Sequence, residues 1–302
     1  MLYIGYKKKS LDFISETLKD YCTFPLKIVA DLFAGTGVVS FYLGNLPDTE
    51  HIVSNDIQYY SYVLLRAQLE NHSHHILPGE NVKKGFIYDN YAVDRRYFTP
   101  DNAQLIDGYR SVINNDDYYS IASLLVGVSE ISNTACMYES YLKSYKKSSL
   151  KKLELRPMEN GVSCSFDILC EDVNAIDYTK YPVFDLVYLD PPHNRRKFST
   201  NYHILETIAR YDDPPIKGKS GIRDETIPSD FNKKKTSKKA FVSLLNKIRC
   251  RILALSYVRD GIISLPNWEE ILEMTGFVNV RVYQHPHKPK EILLMATKKI
   301  FI

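Results

Sequence analysis

Several short runs of apolar, often β-branched residues divide the chain and predict the strands of a mostly parallel sheet. Residues 26–30, 184–189 and 252–257 are nearly continuous apolar runs, and a polar turn follows each of them. Such runs are typical of strands that are buried on both faces of a parallel sheet. Residues 50–56 and 166–172 are further strand candidates, and each run ends in an acidic residue. This pattern predicts an α/β fold.

The last part of the chain has a different pattern. Residues 278–283 and 291–297 alternate or run apolar on either side of a polar segment, which predicts an antiparallel hairpin. We expect this hairpin to close the edge of the otherwise parallel sheet. Residues 240–251 predict a helix that leads into the strand at 252–257.

A long segment rich in tyrosine separates the second strand from the third. Residues 102–114 follow a Thr-Pro start and predict a helix, and residues 116–147 carry apolar side chains at helical spacing as far as Ile131. We therefore predict a mainly helical insertion at residues 67–163. The remaining residues, 1–66 and 164–302, would form one discontinuous catalytic domain.

Composition limits the class of protein. The chain has 302 residues, of which 44% are hydrophobic, enough for a large domain with an insertion. Its cysteines, at positions 22, 136, 164, 170 and 250, have neither metal-ligand spacing nor an even number for disulfide pairing. With no long apolar run and no secretory segment at the amino terminus, we expect the cytoplasm and no membrane partner. The histidines at 72–75 lack a ligand set, so we expect no metal.

The run DLFAGTG at residues 31–37 is the first candidate for chemistry. It begins with Asp31 at a strand end, and its glycines Gly35 and Gly37 would let the backbone approach a ligand closely. A dinucleotide loop is one interpretation, with Ser40 as its third small residue, whereas a phosphate loop would need a Gly-Lys-Ser/Thr run that is missing. An ordinary strand-to-helix connection is the competing interpretation. Asp56, at the next strand end, is placed to accept ribose hydroxyls, which favours a nucleoside ligand.

The run DPPH at residues 190–193 is the second candidate. Two successive prolines fix the backbone and remove two donors, so the corner offers acceptors. The carboxylate of Asp190 and the carbonyl of Pro191 would hold both protons of an exocyclic amine and free its lone pair for attack on a methylsulfonium. Such a transfer depends on positioning and electrostatics.

These two runs together resemble the motifs of the Dam-like, or alpha-group, adenine-N6 DNA methyltransferases, whose tetrad is Asp-Pro-Pro-Tyr. The order of motifs agrees, since a lysine motif with Tyr3 and Lys7 comes first, and residues 198–209 also resemble the segment after the tetrad. The resemblance implies a Rossmann-like fold, S-adenosyl-L-methionine as cofactor, and a target-recognition role for the insertion at residues 67–163. It implies that the catalytic residues are Asp190, Pro191, Pro192 and His193. It implies that the cofactor-binding residues are Tyr3, Lys7, Asp31, Phe33, Gly35, Gly37, Asp56 and Asp172. Glu171 competes with Asp172.

The tetrad departs from the family at its last position. His193 stands where an aromatic residue would stack on the extruded adenine, and a planar imidazole can take that place. The alternative is an incidental loop histidine. Two other functions therefore stay open: a catalytically impaired relative that only binds DNA, and an RNA adenine methyltransferase.

Charge is informative through its distribution. The net charge is only +3, but lysines and arginines cluster in several short runs. Arg195, Arg196 and Lys197 leave the tetrad directly and are predicted to contact double-stranded DNA, with Tyr257 as a further candidate. The loop at residues 212–239 has no apolar periodicity and is expected to order on DNA. The resemblance also implies a cognate restriction endonuclease as a partner.

Overall fold

The helices and strands alternate along the chain largely as the sequence pattern predicts. The computed structural model describes residues 7–135, 137–194, 198–224 and 229–301. Its strands are β1 (Ile28–Asp31), β2 (His51–Asn55), β3 (Ser165–Leu169), β4 (Phe184–Leu189), β5 (Ile216–Lys217), β6 (Ile222–Arg223), β7 (Cys250–Val258), β8 (Phe277–Gln284) and β9 (Glu291–Lys298). Its α-helices are α1 (Leu11–Tyr21), α2 (Val38–Gly44), α3 (Tyr59–Leu69), α4 (Phe86–Tyr88), α5 (Pro100–Val112), α6 (Tyr118–Ile131), α7 (Phe198–Asn201), α8 (His203–Arg210), α9 (Ser237–Lys247) and α10 (Leu265–Met274). Shorter helical turns lie at Lys7–Ser10, Asp89–Val93, Lys147–Leu150, Tyr178–Lys180 and Lys299–Phe301.

A seven-stranded sheet has the order β3-β2-β1-β4-β7-β9-β8. Strand β1 pairs in parallel with β2 and β4, and the parallel part continues to β3 on one side and β7 on the other. Strand β9 pairs antiparallel with both β7 and β8. The predicted parallel sheet with a closing antiparallel hairpin is therefore confirmed. The strand order reverses between β1 and β4, and in such sheets ligands bind at the carboxyl ends of the strands flanking that point.

The central strands are buried, as their apolar sequences require. In β1, Val29 and Ala30 have no exposed surface, and in β4 only Asp185 interrupts the apolar run. The Asp185 carboxylate accepts hydrogen bonds from the backbone N–H groups of Lys27 (2.9 Å) and Ile28 (3.1 Å). This charge therefore anchors the amino end of β1, at the edge opposite the carboxyl ends of the parallel strands.

Helices α9 and α10 pack against the sheet through large aromatic residues. The ring of Trp268 lies edge-on to those of Phe241 (4.6 Å between centroids) and Tyr257 (5.2 Å). All three side chains are 2% exposed or less. Each such ring pair contributes about 0.5–1.5 kcal/mol beyond the burial of its area. This cluster fixes the end of β7.

The chain divides into two compact units. The sheet unit consists of Lys7–Ile57 and residues 162–194 and 229–301, and the helical unit consists of Gln58–Gly161 and residues 198–224. The sequence prediction placed the start of the insertion at residue 67 and assigned residues 198–224 to the catalytic domain. Within the described ranges, every helix is too short or too polar to cross a lipid bilayer.

The helical unit has its own core, built from α3, α5, α6 and α8. Helix α5 begins where the Thr-Pro start predicts, and the Thr99 hydroxyl accepts a hydrogen bond from the Asn102 N–H (3.3 Å). Helix α6 ends at Ile131, so the predicted helical stretch to residue 147 is too long. The buried Asn133 explains the end, because its amide group donates to the carbonyls of Arg96 and Leu142 and accepts from the Lys146 N–H. These bonds tie the chain after α6 to neighbouring loop backbone in place of a further helical turn.

Residues 212–224 differ from the irregular loop that the sequence predicted. Strands β5 and β6 form a short antiparallel hairpin in which Ile216 faces Arg223 and Lys217 faces Ile222. Several of the contacts that hold this hairpin come from residues more than 80 positions away in the sequence. A local pattern could not reveal them.

Candidate active site

Acidic side chains stand at the carboxyl ends of three strands in the sheet unit. Asp31 ends β1, Asp56 follows β2 and Asp190 follows β4. The backbone N–H of Leu32 donates to the carbonyl of Tyr188 (3.2 Å), so the glycine turn and the DPPH corner leave neighbouring strands side by side. The two runs that the sequence singled out therefore meet at one edge of the sheet.

The glycine turn needs its glycines. Gly35 has a φ of 54° and Gly37 a φ of 79°, the left-handed region that side chains with a Cβ rarely adopt. The Gly37 N–H donates to the carbonyl of Ala34 (2.9 Å), and α2 begins immediately after Gly37. Phe33 is half-buried and its ring meets that of Phe231 edge to face at 5.2 Å. The turn thus offers its backbone to a ligand beside an aromatic wall.

Asp56 is tied to the glycine turn. Its carboxylate accepts a hydrogen bond from the Gly35 N–H (2.8 Å). The preceding Asn55, which is 1% exposed, donates to the carbonyls of Leu32 (3.3 Å) and Glu171 (3.1 Å). Asn55 therefore joins the tips of β1, β2 and β3. The sequence reasoning missed this role, although a polar pair at a strand end was the available signal.

Asp31 is the most unusual group at this edge. It is 1% exposed, and its Oδ2 accepts a hydrogen bond from the Ser40 hydroxyl (2.8 Å), while its Oδ1 has no hydrogen-bond partner among the described residues. Burial raises the pKa of Asp31 to about 7, and the charges of Asp190 and Asp56 contribute to the rise. A buried carboxylate near two others fits a ligand that is cationic and has no phosphate. S-adenosylmethionine is such a ligand.

Asp172 and Glu171 follow β3, and both are exposed. The Asp172 carboxylate accepts from the N–H of Asn174 (2.9 Å), and the Glu171 N–H donates to the side chain of Asn55 (3.1 Å). Both residues lie at the same carboxyl edge of the sheet as Asp31 and Asp56. The assignment of Asp172 to the adenine of the cofactor stays a prediction.

Lys7 reaches the DPPH corner. Its Nζ lies 3.0 Å from Oδ1 of Asp190, and the two side chains are only 13% and 22% exposed. The helical turn that carries Lys7 ends at Ser10, whose buried hydroxyl accepts a hydrogen bond from Lys288 (3.0 Å). Lys288 also pairs with Glu291 at the start of β9 (3.1 Å). The sequence reasoning missed Lys288, because its partner is 278 positions away.

The rest of the DPPH corner is packed against the end of β7. Pro191 is buried, and Pro192 and His193 are half-buried. The His193 carbonyl accepts from the Ile262 N–H (3.0 Å), and its ring lies edge-on to that of Tyr257 at 6.2 Å. Burial lowers the pKa of His193, which favours the neutral ring. A neutral planar ring is suited to stacking on a base.

Tyr257 is 2% exposed, and its hydroxyl accepts a hydrogen bond from the Ile263 N–H (3.3 Å). A direct contact of Tyr257 with DNA, which the sequence predicted, would need this ring to become exposed. In the structure it supports the imidazole of His193. Tyr3, Arg195, Arg196 and Lys197 lie outside the described residues. In the described ranges, no group of three or more His, Cys, Asp or Glu side chains is arranged to hold a metal ion.

Comparison with known proteins agrees with this arrangement. Residues 3–274 match the model of the D12 class N6 adenine-specific DNA methyltransferases. The type II methyltransferase M.NlaIII of Neisseria lactamica is 34% identical over 302 residues, which cover 91% of this chain and 89% of that protein. M.CviAII of Paramecium bursaria Chlorella virus 1 is 28% identical, with 94% of this chain and 91% of that protein covered.

A third relative is longer than this chain. The type II methyltransferase M.FokI of Planomicrobium okeanokoites is 34% identical over 323 residues, which cover 95% of this chain but 49% of that protein. The match over residues 3–274 includes the glycine turn, the DPPH corner and the helical segment that separates β2 from β3. The chain therefore belongs to the D12 class N6 adenine-specific DNA methyltransferase family, whose members use S-adenosylmethionine to methylate N6 of adenine in DNA.

Proposed function

We propose that the carboxyl edge of the sheet is the methyl-transfer centre and that the DPPH corner holds the target adenine. The observation that carries this proposal is the ion pair of Lys7 with Asp190, one strand away from the glycine turn and the buried Asp31. A carboxylate that is held in place beside a cofactor turn is positioned to bind an amino group. This placement supports direct transfer without a covalent enzyme intermediate.

The amino group of adenine is a poor nucleophile because its lone pair is delocalised into the ring. The carboxylate of Asp190 accepts a hydrogen bond from one N–H of this amino group, and the carbonyl of Pro191 accepts one from the other N–H. These two hydrogen bonds direct the lone pair of the nitrogen out of the ring plane. When bound at the glycine turn, S-adenosylmethionine would supply the methyl group from its sulfonium and would leave as the neutral thioether. Asp190 then takes the surplus proton from the methylated nitrogen. Pre-organised acceptors of this kind contribute through positioning and electrostatics.

Lys7 and His193 serve the same corner. Lys7 fixes the orientation of the Asp190 carboxylate, and its low exposure strengthens that interaction relative to a surface pair. His193 stacks on the adenine after the base has left the duplex, supported from behind by Tyr257. Asp56 accepts hydrogen bonds from the ribose hydroxyls of the cofactor, and the carboxylate of Asp31 attracts the positive charge of the cofactor.

We further propose that the protein is the modification enzyme of a restriction-modification system. Its relatives include proteins named type II methyltransferases and modification methylases. Methylation of duplex DNA would then protect a recognition sequence from a partner endonuclease, and the activity would operate in the cytoplasm, where that DNA lies. Arg195, Arg196 and Lys197 are the candidate phosphate contacts that leave the catalytic corner.

The test is a transfer assay with tritiated S-adenosylmethionine, in which unmethylated plasmid DNA and an RNA transcript are offered in parallel. We expect label in N6-methyladenine of the DNA. Label in RNA alone would replace the proposed substrate with RNA, and label in a methylated cytosine would contradict the adenine assignment. Tight DNA binding without any transfer would instead indicate a catalytically impaired relative.

A further inference from the structure

The β5–β6 hairpin of the helical unit is held by side chains that bind its backbone. The turn at residues 218–221 contains Gly218 and Gly221, both with positive φ (70° and 64°). Arg95 donates hydrogen bonds to the carbonyls of Gly218 (3.2 Å) and Lys219 (3.1 Å). A Cβ on Gly221 would lie 2.8 Å from Nε of Arg95, so the glycine permits this close approach.

Two buried tyrosines complete the attachment. The hydroxyl of Tyr91 donates to the carbonyl of Gly221 (2.8 Å), and that of Tyr97 donates to the carbonyl of Ser220 (3.1 Å). Both tyrosines have no exposed surface. The carbonyls of residues 218–221 thus all accept hydrogen bonds from side chains of the helical unit. The hairpin is therefore fixed in place without a ligand.

The other end of the hairpin is fixed by an ion pair between the buried Arg223 and the exposed Asp212. Arg223 is 5% exposed, and its guanidinium donates two hydrogen bonds of 2.7 Å to the carboxylate of Asp212. This two-bond geometry is the strong form of an arginine–carboxylate pair. The pair also helps to lower the pKa of Asp212. Lys217 and Lys219 remain exposed at the turn.

The hairpin adjoins two other segments of the helical unit. The Ser220 hydroxyl donates to the carbonyl of Glu139, and Arg96 donates to the carbonyl of Lys143 (2.6 Å). We name residues 94–97, 139–147 and 216–224 the basic loop surface. Apart from the buried Arg223, whose charge is paired with that of Asp212, it contains seven Lys or Arg residues against three Asp or Glu, whereas the whole chain contains 39 against 36.

We propose that the basic loop surface binds the phosphate backbone of duplex DNA, through Lys143 and Lys219 in particular. This inference rests on the proposed function, which supplies DNA as the partner. Its positive charge attracts phosphates, and because the hairpin is already fixed, little conformational freedom is lost on binding. Tyr141, Leu142 and Tyr145 add partly exposed apolar area among the cations. Phosphate contacts from this surface position the DNA without reading its sequence.

The test measures binding of the full chain to a fluorescently labelled fragment of unmethylated plasmid DNA over a range of salt concentrations. The double variant Lys143→Gln/Lys219→Gln should bind about tenfold or more weakly at low salt, and the slope of log Kd against log salt should fall by about two. Lys180→Gln is the matched control. Lys180 is exposed in the turn before β4, at the sheet edge opposite the active site, and its removal should change neither quantity.

The outcomes separate this inference from the proposed function. Cofactor binding and thermal stability of the double variant should match those of the unaltered protein. An unchanged salt slope in the double variant would overturn the DNA-binding role of the surface, even if methyl transfer to DNA is observed. A reduced slope in a protein that transfers no methyl group would support the surface and contradict the proposed activity.

Discussion

At the scale of single residues, His193 is the position where this chain departs from its family's motif. Burial favours the neutral form of its ring, and Tyr257 supports that ring. His193→Tyr restores the family residue and should keep or raise turnover. His193→Ala should lower it about tenfold, because stacking of a base on a ring contributes about 1–3 kcal/mol. The measurement is kcat with plasmid DNA. Equal turnover in all three proteins would exclude a stacking role.

The raised pKa of Asp31 predicts a pH-dependent affinity for the cofactor. Below about pH 7 the buried carboxyl holds a proton and is neutral, and above it the group is negative. A cationic ligand binds the negative form better, so the affinity for S-adenosylmethionine should rise several-fold between about pH 6 and pH 7.5. Isothermal titration at several pH values measures this.

Asp31→Asn should bind the cofactor weakly at every pH, without the rise in affinity between about pH 6 and pH 7.5.

The raised pKa of Asp31 also has a consequence for the stability of the fold. In the folded protein without cofactor, Asp31 keeps a proton that the unfolded chain releases near the ordinary pKa of 3.8. The contribution of Asp31 to the free energy of unfolding is therefore present at low pH and is lost as the pH rises through about 7. A cofactor affinity that falls with pH over this range would contradict the assignment.

The residues that sequence could predict are those inside a local motif. Asp31, Gly35, Gly37 and Asp190 stand in short runs that indicate a type of site from the sequence alone. Ser40, Asn55 and Lys288 contribute through partners that the fold brings together, and Lys288 meets Ser10 only because the loop before β9 reaches the first helical turn. No spacing along the chain indicates such a pair.

At the scale of elements, the turn that carries Lys7 depends on the loop between β8 and β9. Lys288→Met removes the ammonium group that holds Ser10 while keeping the apolar stem, and it should lower kcat for methyl transfer about tenfold, the equivalent of about 1.4 kcal/mol. The KM for DNA should change little, since Lys288 acts by positioning Lys7. Lys288→Arg should restore part of the rate.

Lys290→Met is a matched control in the same loop. Lys290 is 77% exposed and pairs only with the exposed Asp260 among the described residues, so its loss should leave kcat unchanged. If both variants lose the same activity, the loop acts through its general stability. If neither does, Lys288 does not position the turn.

The elements show where periodicity is informative and where it is not. The strands are predicted well because burial on both faces leaves a continuous apolar run. The end of α6 is not predicted by periodicity, because the side chain of Asn133 competes for backbone groups that a helix would use. The β5–β6 hairpin has only two residues in each strand, and its stability comes from Arg95, Tyr91 and Tyr97.

At the scale of the whole molecule, the family, the fold, the cofactor and the adenine-specific activity predicted from sequence are confirmed. The sequence did not indicate that residues 198–224, which follow the catalytic corner directly, form one compact unit with residues 58–161. Contacts such as that of Tyr138 with His203 (2.9 Å), both buried, produce this grouping. They join residues 65 positions apart and have no local pattern.

The central claim is that Asp190 binds the amino group during transfer and leaves the cofactor to other residues. The most direct measurement compares Asp190→Ala with the unaltered protein in single-turnover methylation of plasmid DNA, scored as N6-methyladenine by mass spectrometry, together with the Kd for S-adenosylmethionine. We predict that transfer falls by at least about a hundredfold while the Kd changes little. Substantial transfer by Asp190→Ala, or loss of cofactor binding as its main defect, would contradict the claim.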